Sequence, residues 1–247
     1  MKLTDWHRRY QFQAGWTRNL RSFLLNKLGV QPGNRILEVG SGTGALMSDF
    51  QALHAWPCAV DIELSRSLFA KKNLPDLSSI CADGRHLPVC GGVFDFVVCH
   101  YLLLWLDDPL SILKEMVRVT HRGGAVIAFA EPDYASRVDY PHIFSYIGNY
   151  QNRSLEFQGV DIMMGRKLGL LFRQSGLEDV KLGLLGGEWR NPEEAEFDAE
   201  WDVIAWDLGG FVPVDEILSL REKAKESWLS GEATVFIPTF YAYGIVS

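Results

Sequence analysis

The sequence predicts an α/β fold built on a doubly wound parallel sheet. Short apolar, strand-like runs alternate with amphipathic segments between residues 35 and 130. A glycine-rich turn follows the first of those runs. The 247 residues hold 24 Lys and Arg against 31 Asp and Glu, a net charge of −7, with 47% hydrophobic and 22% charged residues. That length can bury a large core, and the usage argues against disorder. An acidic chain offers no bulk attraction for nucleic acid or anionic lipid.

The elements follow in order. Residues 14–28 place Trp16, Leu20, Phe23, Leu24 and Leu28 at helical spacing with arginines between them, and Gly29 serves as a stop. Arg35–Val39 is a short buried strand, followed by a helix over Ala45–Leu53. Cys58–Ile62 is a second strand with a helix over Ser65–Lys72, and Ser79–Ala82 is a weaker third. Phe94–Cys99 is apolar throughout apart from Asp95, as a strand covered on both faces must be. Residues 108–120 form an amphipathic helix with Pro109 in its first turn, and Gly123-Gly124 turns the chain into a fifth strand over Ala125–Ala130. Right-handed crossovers then place helices on both faces.

Beyond Asp133 the alternation loosens. A helix near 161–175, a strand over Asp179–Leu185 and a last strand over Thr234–Val246 are expected. The aromatic-rich stretches 134–160 and 192–230 read as insertions that cover one sheet edge and the substrate, within a single domain spanning 1–247. Met163, Met164, Trp201 and Trp206 fit either an apolar pocket or core packing.

Four cysteines without a C-x-x-C pair give no zinc or thioredoxin-like motif, and the acidic run Glu193-Glu194-Ala195-Glu196 is too dispersed to hold a metal. The N-terminus lacks the apolar core of a signal peptide, and no run reaches the roughly 20 apolar residues that span a bilayer. The expectation is a cytoplasmic protein with reduced thiols and no membrane insertion. The sequence carries no reading of oligomeric state.

The chemistry concentrates at Glu38-Val39-Gly40-Ser41-Gly42-Thr43-Gly44, between a strand and a helix. Glycines there admit close approach of a ligand to the backbone. Gly40, Gly42 and Ala45 also satisfy the dinucleotide pattern G-x-G-x-x-A. Two acids narrow the choice. Asp61 closes the second strand, where a carboxylate accepts both hydroxyls of a ribose. Asp83 closes the third, where a carboxylate accepts an exocyclic adenine amine. The spacing lays a nucleoside across the carboxyl ends of three strands.

These residues, with Leu87-Pro88, Phe94-Asp95-Phe96-Val97-Val98 and the helix ending before Gly123-Gly124, resemble the motifs of class I S-adenosylmethionine-dependent methyltransferases. The likeness runs over roughly residues 30–133 and is nearest to the small-molecule branch that includes quinone-biosynthesis enzymes. His121-Arg122 departs from the family's usual Lys-Pro, far from the chemistry. The resemblance implies a Rossmann-like sheet of seven strands with the last antiparallel, and helical lid insertions. It implies that Gly40, Ser41, Gly42 and Gly44 line the methionine end of S-adenosyl-L-methionine. Glu38 would steady that loop or reach the methionine amine through water. Asp61 would hold ribose with Ile62 packing on adenine, and Asp83 would hold the adenine amine with Ala82 and Gly84 beside it. Tyr10 and Arg18 belong to a helix that can fold over the cofactor. His100 and Asp133 fall where cofactor meets substrate and are the candidates for a base.

The function so implied is methyl transfer to a small, partly apolar molecule by in-line displacement, without metal. The absence of a [DN]-P-P-[YF] run after the fourth strand, together with the acidic charge, argues against nucleic-acid substrates. Two other classes share parts of this pattern: an NAD-linked oxidoreductase, which does not need Asp83, and a non-catalytic cofactor-binding protein of the same fold.

Overall fold

The structure is a computed structural model and describes residues 2–186 and 193–247. Pro192, where the second insertion was expected to begin, lies outside the described residues. Seven strands make one sheet in the order β3-β2-β1-β4-β5-β9-β7. They are β1 (Arg35–Val39), β2 (Trp56–Asp61), β3 (Ser78–Cys81), β4 (Phe94–Cys99), β5 (Thr120–Pro132), β7 (Glu178–Leu185) and β9 (Thr239–Ile245). Pairings from β3 through β5 are parallel, and β9 runs antiparallel to both β5 and β7. This is the Rossmann-like fold expected from the sequence, with the antiparallel strand set between β5 and β7.

Helices cover both faces. α4 (Pro109–Val119) and α6 (Met164–Gln174) bury Leu113, Met116, Leu168 and Phe172 against Leu37, Val97 and Val126 on one side. α1 (Leu3–Lys27), α2 (Met47–Ala52) and α3 (Leu64–Asn73) bury Leu24, Leu25, Phe50 and Ala70 against Ile36, Phe96, Val98 and Phe129 on the other. Two-sided burial explains why β4 and the middle of β5 read as unbroken apolar runs.

Two expectations need correction. The first helix begins at Leu3, and its buried face is Ala14, Thr17, Arg21, Leu24 and Leu25, while Trp16 and Phe23 are exposed. Arg21 is buried because its guanidinium bonds the Ala14 carbonyl at 2.6 Å, the Thr17 hydroxyl and the Asp49 carboxylate. The terminal run is two strands rather than one: β8 (Thr234–Phe236) ends before Ile237-Pro238 and pairs with β6 (Val138–Tyr140) in a separate two-stranded sheet. Proline has no N–H for a ladder bond, which suits it to this break. The two loosely patterned stretches also share a core of their own. In it α5 (His142–Phe157), α7 (Glu194–Leu208) and α8 (Val214–Leu229) pack Phe144, Ile147, Phe197, Trp201, Ile217 and Ala224 together. Among the described residues no helix is long and apolar enough to cross a membrane, and no three His, Cys, Asp or Glu side chains cluster as a metal set.

Candidate active site

The glycine turn leaves β1 with Gly40, Gly42 and Gly44 all at positive φ, 72°, 52° and 78°. Such backbone favours glycine, and Gly40 is constrained twice, because a Cβ there would sit 2.5 Å from Leu102 Cδ1. The Ser41 amide donates to the Val60 carbonyl at 2.9 Å, which ties the turn to the end of β2. Asp61 completes the tie. The Gly42 N–H donates to its Oδ2 at 2.7 Å and the Glu63 N–H to its Oδ1 at 2.9 Å. Each carboxylate oxygen thus accepts one amide and retains capacity for another donor. Next to Asp61, Ile62 is 66% exposed, an apolar surface at the lip of the turn.

Glu38 is buried at the end of β1, and its Oε2 has no hydrogen-bond partner. Burial pushes its carboxyl well above the usual range, against the opposing pull of Arg21. An orphaned carboxylate oxygen beside a positive-φ glycine turn fits a missing donor such as an ammonium group.

The third strand behaves differently. Asp83 is partly exposed, and Arg85 holds both its oxygens through Nε and Nη2 as well as its own backbone N–H. Those hydrogen bonds hold the carboxyl down at about 2. An adenine amine would share Asp83 with Arg85. Ala82 donates its amide to the Asp61 carbonyl at 3.1 Å. Gly84 owes its identity to packing, since a Cβ would press to 3.0 Å from Val39.

α1 roofs the turn. Tyr10 lies with its ring edge 3.4 Å from where a Gly42 Cβ would be, stacked on Trp6 at 5.8 Å between centroids. His7 Nδ1 meets the Thr43 hydroxyl at 2.8 Å. Arg18 is exposed and lines a cleft between α1 and α2 with Ser22, Asp49 and Leu53, rather than meeting the glycine turn.

The two candidates for a base are both engaged. His100 Nε2 meets the Thr17 hydroxyl at 2.9 Å, and burial plus the nearby Arg21 charge push its imidazole down to about 3. It is neutral at pH 7 and a weak proton acceptor. Asp133 is buried and held by Arg166, Nε to Oδ2 at 2.5 Å and Nη2 to Oδ1 at 2.7 Å. With both oxygens in a bidentate pair, it anchors α6 to the end of β5.

Sequence reasoning passed over Glu131, Thr17 and the Arg9–Glu200 pair. Glu131 is a lone acid before Pro132, with no pattern that marks it. Arg9 reaches Glu200 of α7 through its two terminal guanidinium nitrogens at 2.8 and 3.2 Å, and Trp6 meets Trp206 edge-on at 6.4 Å. These contacts join the roof helix to the helical cap. In the cap, Phe157, Trp206, Phe211 and the buried Asp207 line a cleft of about 370 Å³. Met164 and Trp201 are core residues, whereas Trp206 faces the cleft.

Residues 37–128, from within β1 through most of β5, match a family model described as a methyltransferase domain. The match holds the glycine turn, Asp61 and Asp83. Demethylmenaquinone methyltransferase of Renibacterium salmoninarum is 31% identical over 122 residues, covering 49% of this chain and 52% of the relative. Its namesake in Corynebacterium urealyticum is 33% identical over 120 residues, 48% of this chain and 51% of the relative. The chain thus spans about half the length of the curated relatives it matches. Geranyl diphosphate methyltransferase in complex with S-adenosylmethionine superposes with a TM-score of 0.57 at 15% identity, covering 92% of this chain and 84% of that one. Phosphoethanolamine N-methyltransferase 2 of Haemonchus contortus, also bound to that cofactor, gives 0.56 at 12% identity over 92% of this chain and 52% of that one. At these identities the superpositions show the fold. The matched region resembles the class I, small-molecule branch with its quinone-biosynthesis members.

Proposed function

We propose that the protein is an S-adenosylmethionine-dependent methyltransferase acting on a small, partly apolar molecule. The observation that carries this reading is the arrangement around Asp61: a buried carboxylate fixed by the Gly42 and Glu63 amides, with the unpartnered Glu38 oxygen buried at the end of the neighbouring strand. In this reading Asp61 takes the ribose hydroxyls and Glu38 the methionine amine. The Gly40–Gly44 turn admits the methionine chain, while Ile62 offers an apolar surface to the adenine and Asp83 its polar contact. Tyr10 closes over them from α1.

When bound, the cofactor supplies a methyl group already made electrophilic by its sulfonium. The chain's contribution is alignment and exclusion of water, which in-line transfer needs most. His100 and Asp133, held by Thr17 and Arg166, serve here as positioning groups. The aromatic walls of the cap at Phe157, Trp206 and Phe211 take the acceptor, in keeping with the apolar acceptor that the name demethylmenaquinone methyltransferase implies for the relatives. Asp83 and the domain match favour this reading over an NAD-linked oxidoreductase. The acidic chain favours a small molecule over nucleic acid, and the site of action in this reading is the cytoplasm.

Calorimetric titration with S-adenosylmethionine tests the proposal. Asp61→Ala should weaken binding at least about a hundredfold, since it removes a charge-assisted acceptor and loosens the turn, and Asp83→Ala about tenfold. Unchanged affinity in both variants would overturn it.

A further inference from the structure

Glu131 is the most completely buried acid in the described chain, and no step above uses it. It stands near the carboxyl end of β5, and three consecutive amides converge on it. Leu102 N–H and Leu103 N–H donate to Oε1 at 3.0 and 2.9 Å, and Leu104 N–H donates to Oε2 at 3.1 Å. Those residues begin the single 3-10 turn, Leu103–Trp105, that follows β4. The first amides of a helical turn have no partner within the turn, so a carboxylate from the neighbouring strand caps it from outside.

The capped segment forms one wall of the glycine turn. Leu102 is the side chain that a Cβ on Gly40 would strike, so its place sets the space above that glycine. Tyr101, just before it, holds φ at 51°, and its amide donates to the Ala130 carbonyl at 2.9 Å. β5 thus grips this loop twice, by a backbone bond and by a carboxylate. On the other side of Glu131, β9 places Phe240 opposite it and α6 brings Gly165 against its carbonyl.

We propose that Glu131 is a positioning residue for cofactor binding: it clamps the Leu102–Leu104 backbone and thereby fixes Leu102 over Gly40. This rests on the reading of the glycine turn as the cofactor cradle. Glu131→Gln is nearly isosteric but replaces one acceptor oxygen with an NH2, which must face an amide N–H of the loop.

The test pairs amide exchange with calorimetry. In the wild type, the amides of Leu102–Leu104 should exchange as slowly as those of β4, although they belong to a loop. In Glu131→Gln they should exchange at least about tenfold faster, with S-adenosylmethionine binding weakened about tenfold at temperatures well below unfolding. Rapid exchange in the wild type overturns the clamp without any variant, which keeps the test decisive should Glu131→Gln not fold. Faster exchange in the variant with unaltered cofactor affinity also overturns it, because the loop would then be held for stability alone. A wild type that binds no S-adenosylmethionine defeats the proposed function and the link to cofactor binding, while the exchange data still report whether the clamp itself exists.

Discussion

At Asp61 one carboxylate spans two loops, and the site depends on residues of this kind, whose oxygens are already in use. Glu131 is the clearest case. Burial pushes its carboxyl up to about 7, against the pull of the Leu103, Leu102 and Leu104 amides. The folded chain keeps this proton to about pH 7, whereas the unfolded chain releases it near 4.5. Ionisation therefore costs the folded state, and the contribution of Glu131 to stability falls as pH rises through that window. Urea unfolding of wild type and Glu131→Gln between pH 4.5 and 7.5 should show the difference between them shifting by up to roughly 3 kcal/mol in favour of the variant as pH rises. A difference independent of pH would mean that Glu131 ionises in the folded chain as it does in water. Residues such as Asp61 and Asp83 were legible because they end strands at a known spacing from the glycines. Glu131 was not, because its partners are backbone amides that any sequence supplies.

Among the elements, β1, β2 and β4 were read correctly because burial on both faces leaves apolar runs bounded by turns. The inner face of α1 follows its apolar spacing only in part. Trp16 and Phe23 look outward, while Thr17 and Arg21 are buried beside Leu24, Arg21 paired with the half-buried Asp49 of α2. Periodicity locates a helix, but it cannot show that a guanidinium has three internal acceptors. The two positions predict opposite outcomes. Arg21→Leu strands the Asp49 carboxylate and should destabilise the fold by roughly 2–4 kcal/mol. Phe23→Ser, at a side chain 54% exposed and touched by Lys27, should change stability by less than about 0.5 kcal/mol. Denaturant midpoints at constant slope decide it, and equal small effects would return Arg21 to the surface. The last strand was also drawn too long, since Pro238 interrupts a run that hydropathy alone treats as continuous.

For the molecule as a whole, the sheet places the glycine turn, Asp61 and Asp83 at the carboxyl ends of adjacent strands, which is where open α/β sheets bind ligands. The cap and α1 then close over that edge, joined by Arg9–Glu200 and Trp6–Trp206. The sheet was legible from alternation, and the cap was legible as insertions but not as a shared core, because its helices draw that core from two stretches separated by α6 and β7. In the proposed reading the sheet edge sets the cofactor class and the cap sets the acceptor class. Calorimetric binding of S-adenosylmethionine to the wild-type protein, with NADH in parallel, tests the first. Micromolar binding of S-adenosylmethionine and no heat from NADH are expected. Binding of NADH with none of S-adenosylmethionine would contradict this reading and make Asp83 a strand-end residue paired with Arg85.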